Sequence, residues 1–282
     1  MAYLANPANT AAVLKKYEFH FQKRYGQNFL IDPHVLDKIM DGAEICGDDV
    51  VLEIGPGIGT MTQYLAERAK KVIAVEIDDK LIPVLADTLS SYDNVTVLHQ
   101  DILKVDLAKL SEEEAGGRPM KVVANLPYYI TTPILMALLE QRIPFESITV
   151  MVQKEVAERM QAREGTKDYG AITLAIRYFT EPKIIAQVPP NCFMPRPNVG
   201  SAVIRLTKHK TPPVTVKDEA KMFATIRASF NQRRKTLVNA LAGGGIAEKE
   251  KTLKALQSMG LSETIRGEAL TVEQFARLSE LL

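Results

Sequence analysis

The apolar residues of this 282-residue chain change rhythm along its length. Val35, Leu36, Ile39 and Met40 share one face of a 3.6-residue period, and Asp32-Pro33 ahead of them supplies a capping side chain and a first-turn proline, so a helix begins there. Val50-Val51-Leu52-Glu53-Ile54 is a short, almost continuous apolar run, the pattern of a strand buried on both faces. The alternation then repeats. Helical stretches at Thr60–Ala69, Leu81–Leu89 and Pro133–Glu140 separate strands at Val72–Glu76, Val95–Leu98, Lys121–Ala124 and Ser147–Val152. Strands alternating with helices predict a parallel sheet covered on both faces, a Rossmann-like α/β fold.

The rhythm changes after residue 180. Lys183–Val188 and Ser201–Leu206 read as two strands joined by a Pro-rich loop without a helix, which predicts an antiparallel pair at one edge of the sheet. Thr207–Pro213 is polar and holds two prolines, so a linker is expected there. Beyond it the pattern is helical: Phe223, Ile226 and Phe230 share a face, as do Leu237, Val238 and Leu241, and Gly243-Gly244-Gly245 stops that helix. The expected division is therefore an α/β domain over 1–206 and a small all-α domain over 213–282, too small to be stable without support from the larger one.

Composition narrows the class. Hydrophobic residues at 46% and charged residues at 24% exclude disordered and collagen-like chains. No run of 18 apolar residues predicts a membrane helix, and Met1–Asn9 lacks the pattern of a secretory signal. Two cysteines, Cys46 and Cys192, make no disulfide framework, so a reducing cytosol is the simplest setting. The net charge of +1 conceals an asymmetry: Asp41–Ala115 carries sixteen acidic and six basic residues, a balance of −10, and Gly200–Gly245 nine basic and two acidic, a balance of +7. A segregated basic stretch suits an anionic partner, although a solvated face has the same composition.

The chemistry concentrates at strand ends. Glu53-Ile54-Gly55-Pro56-Gly57-Ile58-Gly59 links a strand to a helix, where glycines allow a tight turn and close approach to a ligand. Glu76 closes the next strand, 21 residues after Gly55, and is placed to accept from ribose hydroxyls. Asp101 follows the third strand, beside the place of an adenine ring. The spacing is G-x-G-x-G, and no Gly-Lys-Ser/Thr follows, which argues against a phosphate-cradling loop. An acidic residue two before the first glycine suits a cofactor with a cationic amino-acid end, and this points to S-adenosyl-L-methionine. Solvation of strand ends is the ordinary alternative for Glu76 and Asp101.

Asn125-Leu126-Pro127-Tyr128 follows the fourth strand. An adenine amine is a poor nucleophile because its lone pair is shared with the ring. The Asn125 side-chain carbonyl and the Leu126 backbone carbonyl can both accept from that amine and stabilise the charge that develops on it. Tyr128 can stack on the base, and Pro127 stiffens the turn. A base read this way must leave its stack. A plain strand-to-helix turn has the same residues.

These segments resemble the KsgA family of ribosomal RNA adenine dimethyltransferases. The resemblance rests on Gly26-Gln27-Asn28-Phe29-Leu30, Glu53 to Thr62, Glu76-Ile77-Asp78, Gln100-Asp101-Ile102, Asn125 to Tyr128, Gln153 to Ala157, Phe193 to Ser201 and Ser229 to Leu237, in family order over about residues 20 to 240. It implies that Asn28 and Leu30 close over the cofactor, that Gly55, Gly57, Glu76, Asp101 and Asn125 line its pocket, that Asn125, Leu126, Pro127 and Tyr128 hold the target adenine, and that Phe193 stacks on the adenine's other face. It also implies dimethylation of two adjacent adenines in the 3′-terminal hairpin of 16S rRNA, in the small ribosomal subunit or its precursor, with a role in subunit biogenesis, by an enzyme acting as a monomer away from membranes. No metal is expected.

Other features are read beside this. Cys192 precedes Phe193, but cysteine nucleophiles of cytosine methylation usually follow proline, and Asn191 stands there; a small buried hydrophobe is expected. Phe193 itself, ahead of Met194-Pro195-Arg196-Pro197, also reads as a core anchor under a rigid loop. His20, His34, His99 and His209 show no metal spacing. Arg233-Arg234-Lys235, with Arg227, Lys221, Lys210 and Lys208, is the expected RNA contact, and Lys15, Lys16, Lys23 and Arg24 a second basic arm. Two rival readings stand. One is the 23S rRNA adenine dimethyltransferase of macrolide resistance, whose glycine loop usually carries Lys where this chain has Ile58. The other is a mainly non-catalytic assembly factor on the same fold.

Overall fold

Buried on both faces, the apolar runs pair into a sheet. The computed structural model describes residues 3–22, 25–140 and 143–282. The chain forms two compact units, Met1–Ala157 with Lys183–Lys208, and Glu158–Pro182 with His209–Leu282.

The first unit begins with α1 (Pro7–Lys16), capped by Asn6 through the Ala8 amide at 2.8 Å. It continues through β1 (Phe29–Leu30), α2 (Pro33–Ala43), β2 (Val50–Ile54), α3 (Thr60–Arg68), β3 (Lys71–Glu76), α4 (Ile82–Thr88), β4 (Val95–His99), α5 (Leu107–Ala115), β5 (Met120–Asn125), α6 (Thr131–Glu140) and β6 (Phe145–Gln153). After β6, α7 (Lys154–Met160) and α8 (Ala171–Phe179) lead to β7 (Thr180–Val188), β8 (Phe193–Met194) and β9 (Ser201–Lys208). The sheet order is β4-β3-β2-β5-β6-β9-β7. Strands β2 to β6 pair in parallel, and β9 joins β6 antiparallel, so the expected change of direction at the edge is present. The short strands β1 and β8 form a separate antiparallel ribbon.

Helix α2 starts at Asp32, whose carboxylate accepts from the Val35 amide at 3.2 Å, with Pro33 in the first turn. Its predicted face is buried and packs with Val51 of β2, Val72 of β3, Val123 of β5, Met151 of β6 and Val203 of β9. Helices α1, α5, α7 and α8 were not legible in the apolar pattern. Helix α5, LAKLSEEEA, holds few apolar residues and depends on Asp106, which accepts from the Lys109 amide.

The second unit adds α9 (Glu219–Asn231), α10 (Leu237–Gly243), α11 (Lys249–Ser258) and α12 (Val272–Leu281). Phe223 and Ile226 of α9 and Leu237, Val238 and Leu241 of α10 are buried, as their spacing predicts. The division expected at 206/213 needs one correction: residues 158–182 belong with the helical unit. The reason is aromatic packing. The Tyr178 ring meets Phe223 edge-on at 5.4 Å, Phe179 stacks on Phe223 at 5.5 Å, and the buried Tyr169 donates its hydroxyl to the Leu270 carbonyl at 2.8 Å. The expected linker also starts later, because β9 runs through Lys208.

Candidate active site

The strand order reverses between β2 and β5. From β2 the chain moves one way to β3 and β4, and from β5 it moves the other way to β6. Such a switch point leaves a crevice at the carboxyl ends of the two central strands, where ligands of open α/β sheets bind. The glycine loop leaves β2 there, and Asn125 is the last residue of β5.

Asn28, Leu30, Gly55, Gly57, Glu76, Asp101, Asn125, Leu126, Pro127 and Tyr128 all line one cleft at this edge. With its open mouth included, the cleft measures about 1110 Å³. Gly57 has φ +63°, and a Cβ added to it would lie 2.9 Å from the Phe29 ring. Only glycine lets the loop pass under that ring. The Gly57 amide donates to one Glu76 carboxylate oxygen at 3.2 Å, and the other oxygen accepts from the Ile77 and Asp78 amides at 2.9 and 2.8 Å. Burial raises the Glu76 pKa, and these three amides oppose the rise. Asp101 lies on the cleft wall and caps a single 3-10 turn through the Leu103 amide.

Glu53 is fully buried at the foot of the cleft, and neither carboxylate oxygen has a hydrogen-bond partner among the described residues. Burial pushes its carboxyl up to about 8, and the nearby Glu76 carboxylate adds to the rise. A buried carboxyl without a partner is costly unless a cation or donor meets it.

The target side is ordered by one contact. Asn125 Nδ2 donates to the Asn28 backbone carbonyl at 2.9 Å. This bond fixes which end of the amide is which and leaves Oδ1 without a donor among the described residues. The Leu126 amide bonds Met151 of β6 at 3.2 Å, and its carbonyl likewise meets no donor among the described residues. Two acceptors therefore come from consecutive residues at the cleft. The Tyr128 hydroxyl is tied to Ser201 Oγ at 2.8 Å, which holds the half-buried ring in place, and burial raises its pKa.

Phe193, expected to stack on the adenine, lies in the core cluster. It is 4% exposed, pairs with Leu30 across the β1–β8 ribbon, packs with Cys192, Val188 and Met151, and is not part of the cleft wall. The core-anchor reading describes this packing. Cys192 is buried as expected. Its thiol donates to Asp32 at 3.3 Å, and burial together with that carboxylate pushes its pKa up to about 11, which removes it as a nucleophile.

A family model described as ribosomal RNA adenine dimethylase matches residues 18–282. The chain belongs to that family. A curated relative from Lachnoclostridium phytofermentans, named ribosomal RNA small subunit methyltransferase A, is 62% identical over 100% of this chain and 98% of its own. One from Geobacillus thermodenitrificans with the same name is 54% identical, over 99% of this chain and 97% of its own. Among solved structures, a dimethyladenosine transferase from Plasmodium falciparum matches with a TM-score of 0.75 at 28% identity, over 89% of this chain and 95% of that one. The 23S rRNA methyltransferase ErmE matches with a TM-score of 0.66 at 29% identity, over 90% and 99%.

The family uses S-adenosyl-L-methionine, and the cleft suits it on two observations. The orphaned Glu53 carboxyl can meet an amino-acid ammonium, and the Gly57 turn presents bare backbone beside the buried Glu76 carboxylate. Among the described residues no group of three or more His, Cys, Asp or Glu is placed to hold a metal ion, and no helix is long and apolar enough to cross a membrane.

The expected RNA contacts separate in the second unit. Arg234 and Lys235 are exposed in the turn between α9 and α10. Arg233 is committed within the unit: its guanidinium bonds Glu268 at 3.0 Å and the Thr166 carbonyl at 3.0 Å. Arg227 is exposed on α9. In the first unit Lys16 pairs with Asp87 at 2.6 Å, and Lys23 and Arg24 lie outside the described residues. The sequence reading gave no role to the Asn28 carbonyl, Ser201 or Asp78, although all three sit inside the family segments. A backbone acceptor leaves no mark in a residue string, and the Tyr128 partner of Ser201 and the Gln22 and Gln27 partners of Asp78 lie far from them in the chain.

Proposed function

We propose that this chain dimethylates the exocyclic amines of two adjacent adenines in the 3′-terminal hairpin of 16S rRNA, within the small ribosomal subunit or its precursor, and so takes part in subunit biogenesis. The observation that carries the chemistry is the Asn125–Asn28 bond at 2.9 Å, which leaves the Asn125 carbonyl as an acceptor beside that of Leu126. The names of the 62% and 54% identical relatives support the small subunit as the substrate.

When bound, S-adenosyl-L-methionine supplies an electrophilic methyl group on a sulfonium. The chain's own residues position the two reactants. Glu76 takes the ribose hydroxyls, Asp101 borders the adenine of the cofactor, and Glu53 meets its ammonium. Asn125 Oδ1 and the Leu126 carbonyl accept from the target amine and stabilise the positive charge that grows on it. Tyr128 stacks on the extruded base, its ring braced through Ser201. Positioning and charge stabilisation account for the rate, with no covalent bond to the enzyme.

The test is transfer of labelled methyl groups to purified undermethylated ribosomal subunits, with the modified positions located by primer extension. Label at two adjacent adenines near the 3′ end of small-subunit RNA supports the proposal. Label on large-subunit RNA instead favours the reading suggested by the likeness to ErmE. No label on either would leave only the assembly role.

A further inference from the structure

Asp78 lies two residues past the ribose acceptor and is fully buried. Its carboxylate is the meeting point of side chains from the segment that precedes β1. Gln22 Nε2 donates to both its oxygens at 3.0 and 3.1 Å, and Gln27 Nε2 donates to Oδ2 at 2.7 Å. The Gln22 amide in turn donates to Gln27 Oε1 at 2.9 Å, which ties the two glutamines to each other. The adjoining residue, Asn28, supplies the carbonyl that orients the Asn125 amide. On the other side the Asp78 amide donates to Glu76 at 2.8 Å. Buried carboxylate–amide bonds of this kind are among the stronger neutral–ionic contacts.

We propose that Asp78 is a positioning residue for methyl transfer: by holding Gln22 and Gln27 it sets the place of the Asn28 carbonyl, and through it the orientation of the Asn125 side chain. The cofactor side and the target side of the cleft are thereby built on one carboxylate. A simpler role is local, since Asp78 Oδ1 also accepts from the Lys80 amide at 3.1 Å and so caps its own turn. The two roles differ in one respect. Removing the glutamine side chains leaves the turn cap intact while breaking the link to Asn28.

The proposal rests on the amine-acceptor role assigned above to Asn125, so its test has a readout that needs no turnover. In the full chain, the Asn125 side-chain amide is followed by ¹⁵N NMR, assigned by its disappearance in Asn125→Ala. In Gln22→Ala/Gln27→Ala this resonance is expected to shift, and the melting temperature to fall by several degrees because the buried Asp78 carboxylate loses three hydrogen bonds, so both are read at a temperature where the variant is folded. Single-turnover methylation at saturating S-adenosyl-L-methionine and subunit is expected to fall roughly 10- to 100-fold, the usual effect of a displaced catalytic group. Gln27→Glu sets two carboxylates against each other and should be as slow or slower. The exchange Gln27→Glu/Asp78→Asn restores a donor and an acceptor in reversed order, and should recover both the resonance and most of the rate. An unmoved Asn125 resonance with a wild-type rate in the double alanine variant overturns the proposal, as does an exchange that recovers the melting temperature without the rate. Failure of the wild type to label small subunits counts against the proposed substrate instead, because the resonance is read without substrate.

Discussion

At the scale of single residues, the burial of Glu53 has consequences that can be measured without RNA. Its carboxyl titrates at about 8 in the folded chain and near the ordinary glutamate value when unfolded, so between about 4.5 and 8 the folded state holds a proton that the unfolded state has lost. Stability should therefore decline across that window as pH rises and level off above it. Glu53→Gln removes this loss, so its melting temperature should exceed that of wild type at pH 8 and converge with it near pH 4.5. Cofactor binding adds an opposite effect. An ammonium beside Glu53 favours the ionised form, so affinity should rise from about pH 6 to 7.5 with proton release in calorimetry, stop rising near pH 8 where the free cofactor's own amine loses its proton, and Glu53→Gln should flatten the rise. A wild-type affinity independent of pH would remove Glu53 from the cofactor site. If Asn125 Oδ1 accepts from the target amine as proposed, replacement by Ala should cost about 10²–10³ in rate, the common effect of removing such an acceptor. Single-turnover methylation at saturating cofactor, with RNA binding measured in parallel, checks this; equal losses in both would mean that Asn125 only binds.

At the scale of elements, the β1–β8 ribbon decides what its residues can do. Phe29 faces the glycine loop, Leu30 lies between the cleft and the core, and Phe193 opposite Leu30 is buried in the same core cluster as Leu30. Phe193→Ala should therefore behave as a core truncation, costing roughly 3–5 kcal/mol in chemical denaturation. A stable variant that has lost base stacking would point to the ring leaving its packing when RNA binds. The central strands β2, β3, β5 and β6 were legible because burial on both faces demands nearly continuous apolar runs, and the start of α2 because Asp32-Pro33 is a capping signal. Helix α5 was not, because its stability comes from a cap and a narrow buried face rather than a broad apolar stripe. The cleft residues at strand ends were legible for a related reason: in an open α/β sheet the carboxyl edge is where the ligand lies, whichever residues stand there.

At the scale of the whole molecule, charge separates into structural and free parts. Arg234 and Lys235 carry the expectation of phosphate contact, while Arg233 is held by Glu268 and Thr166. Arg234→Ala and Lys235→Ala should each weaken subunit binding and lower the slope of log affinity against log salt by about one. Arg233→Ala should instead cost roughly 0.2–1 kcal/mol of stability, since its ion pair is partly solvated, with a smaller change in salt slope. Filter binding over a salt series separates the two, and equal slopes for all three variants would return the cluster to an ordinary solvated face. By itself the chain's sequence determined the fold class, the edge strands, the glycine turn and the Asn125–Tyr128 segment, because each is written in neighbouring residues through period, turn chemistry or spacing. Tertiary structure alone decided that residues 158–182 join the helical unit, that Phe193 is core, that Glu53 stands unpaired and that Asp78 gathers Gln22 and Gln27. Each of these depends on partners far apart in the chain, and burial or a hydrogen bond at such separation exists only once the chain has folded.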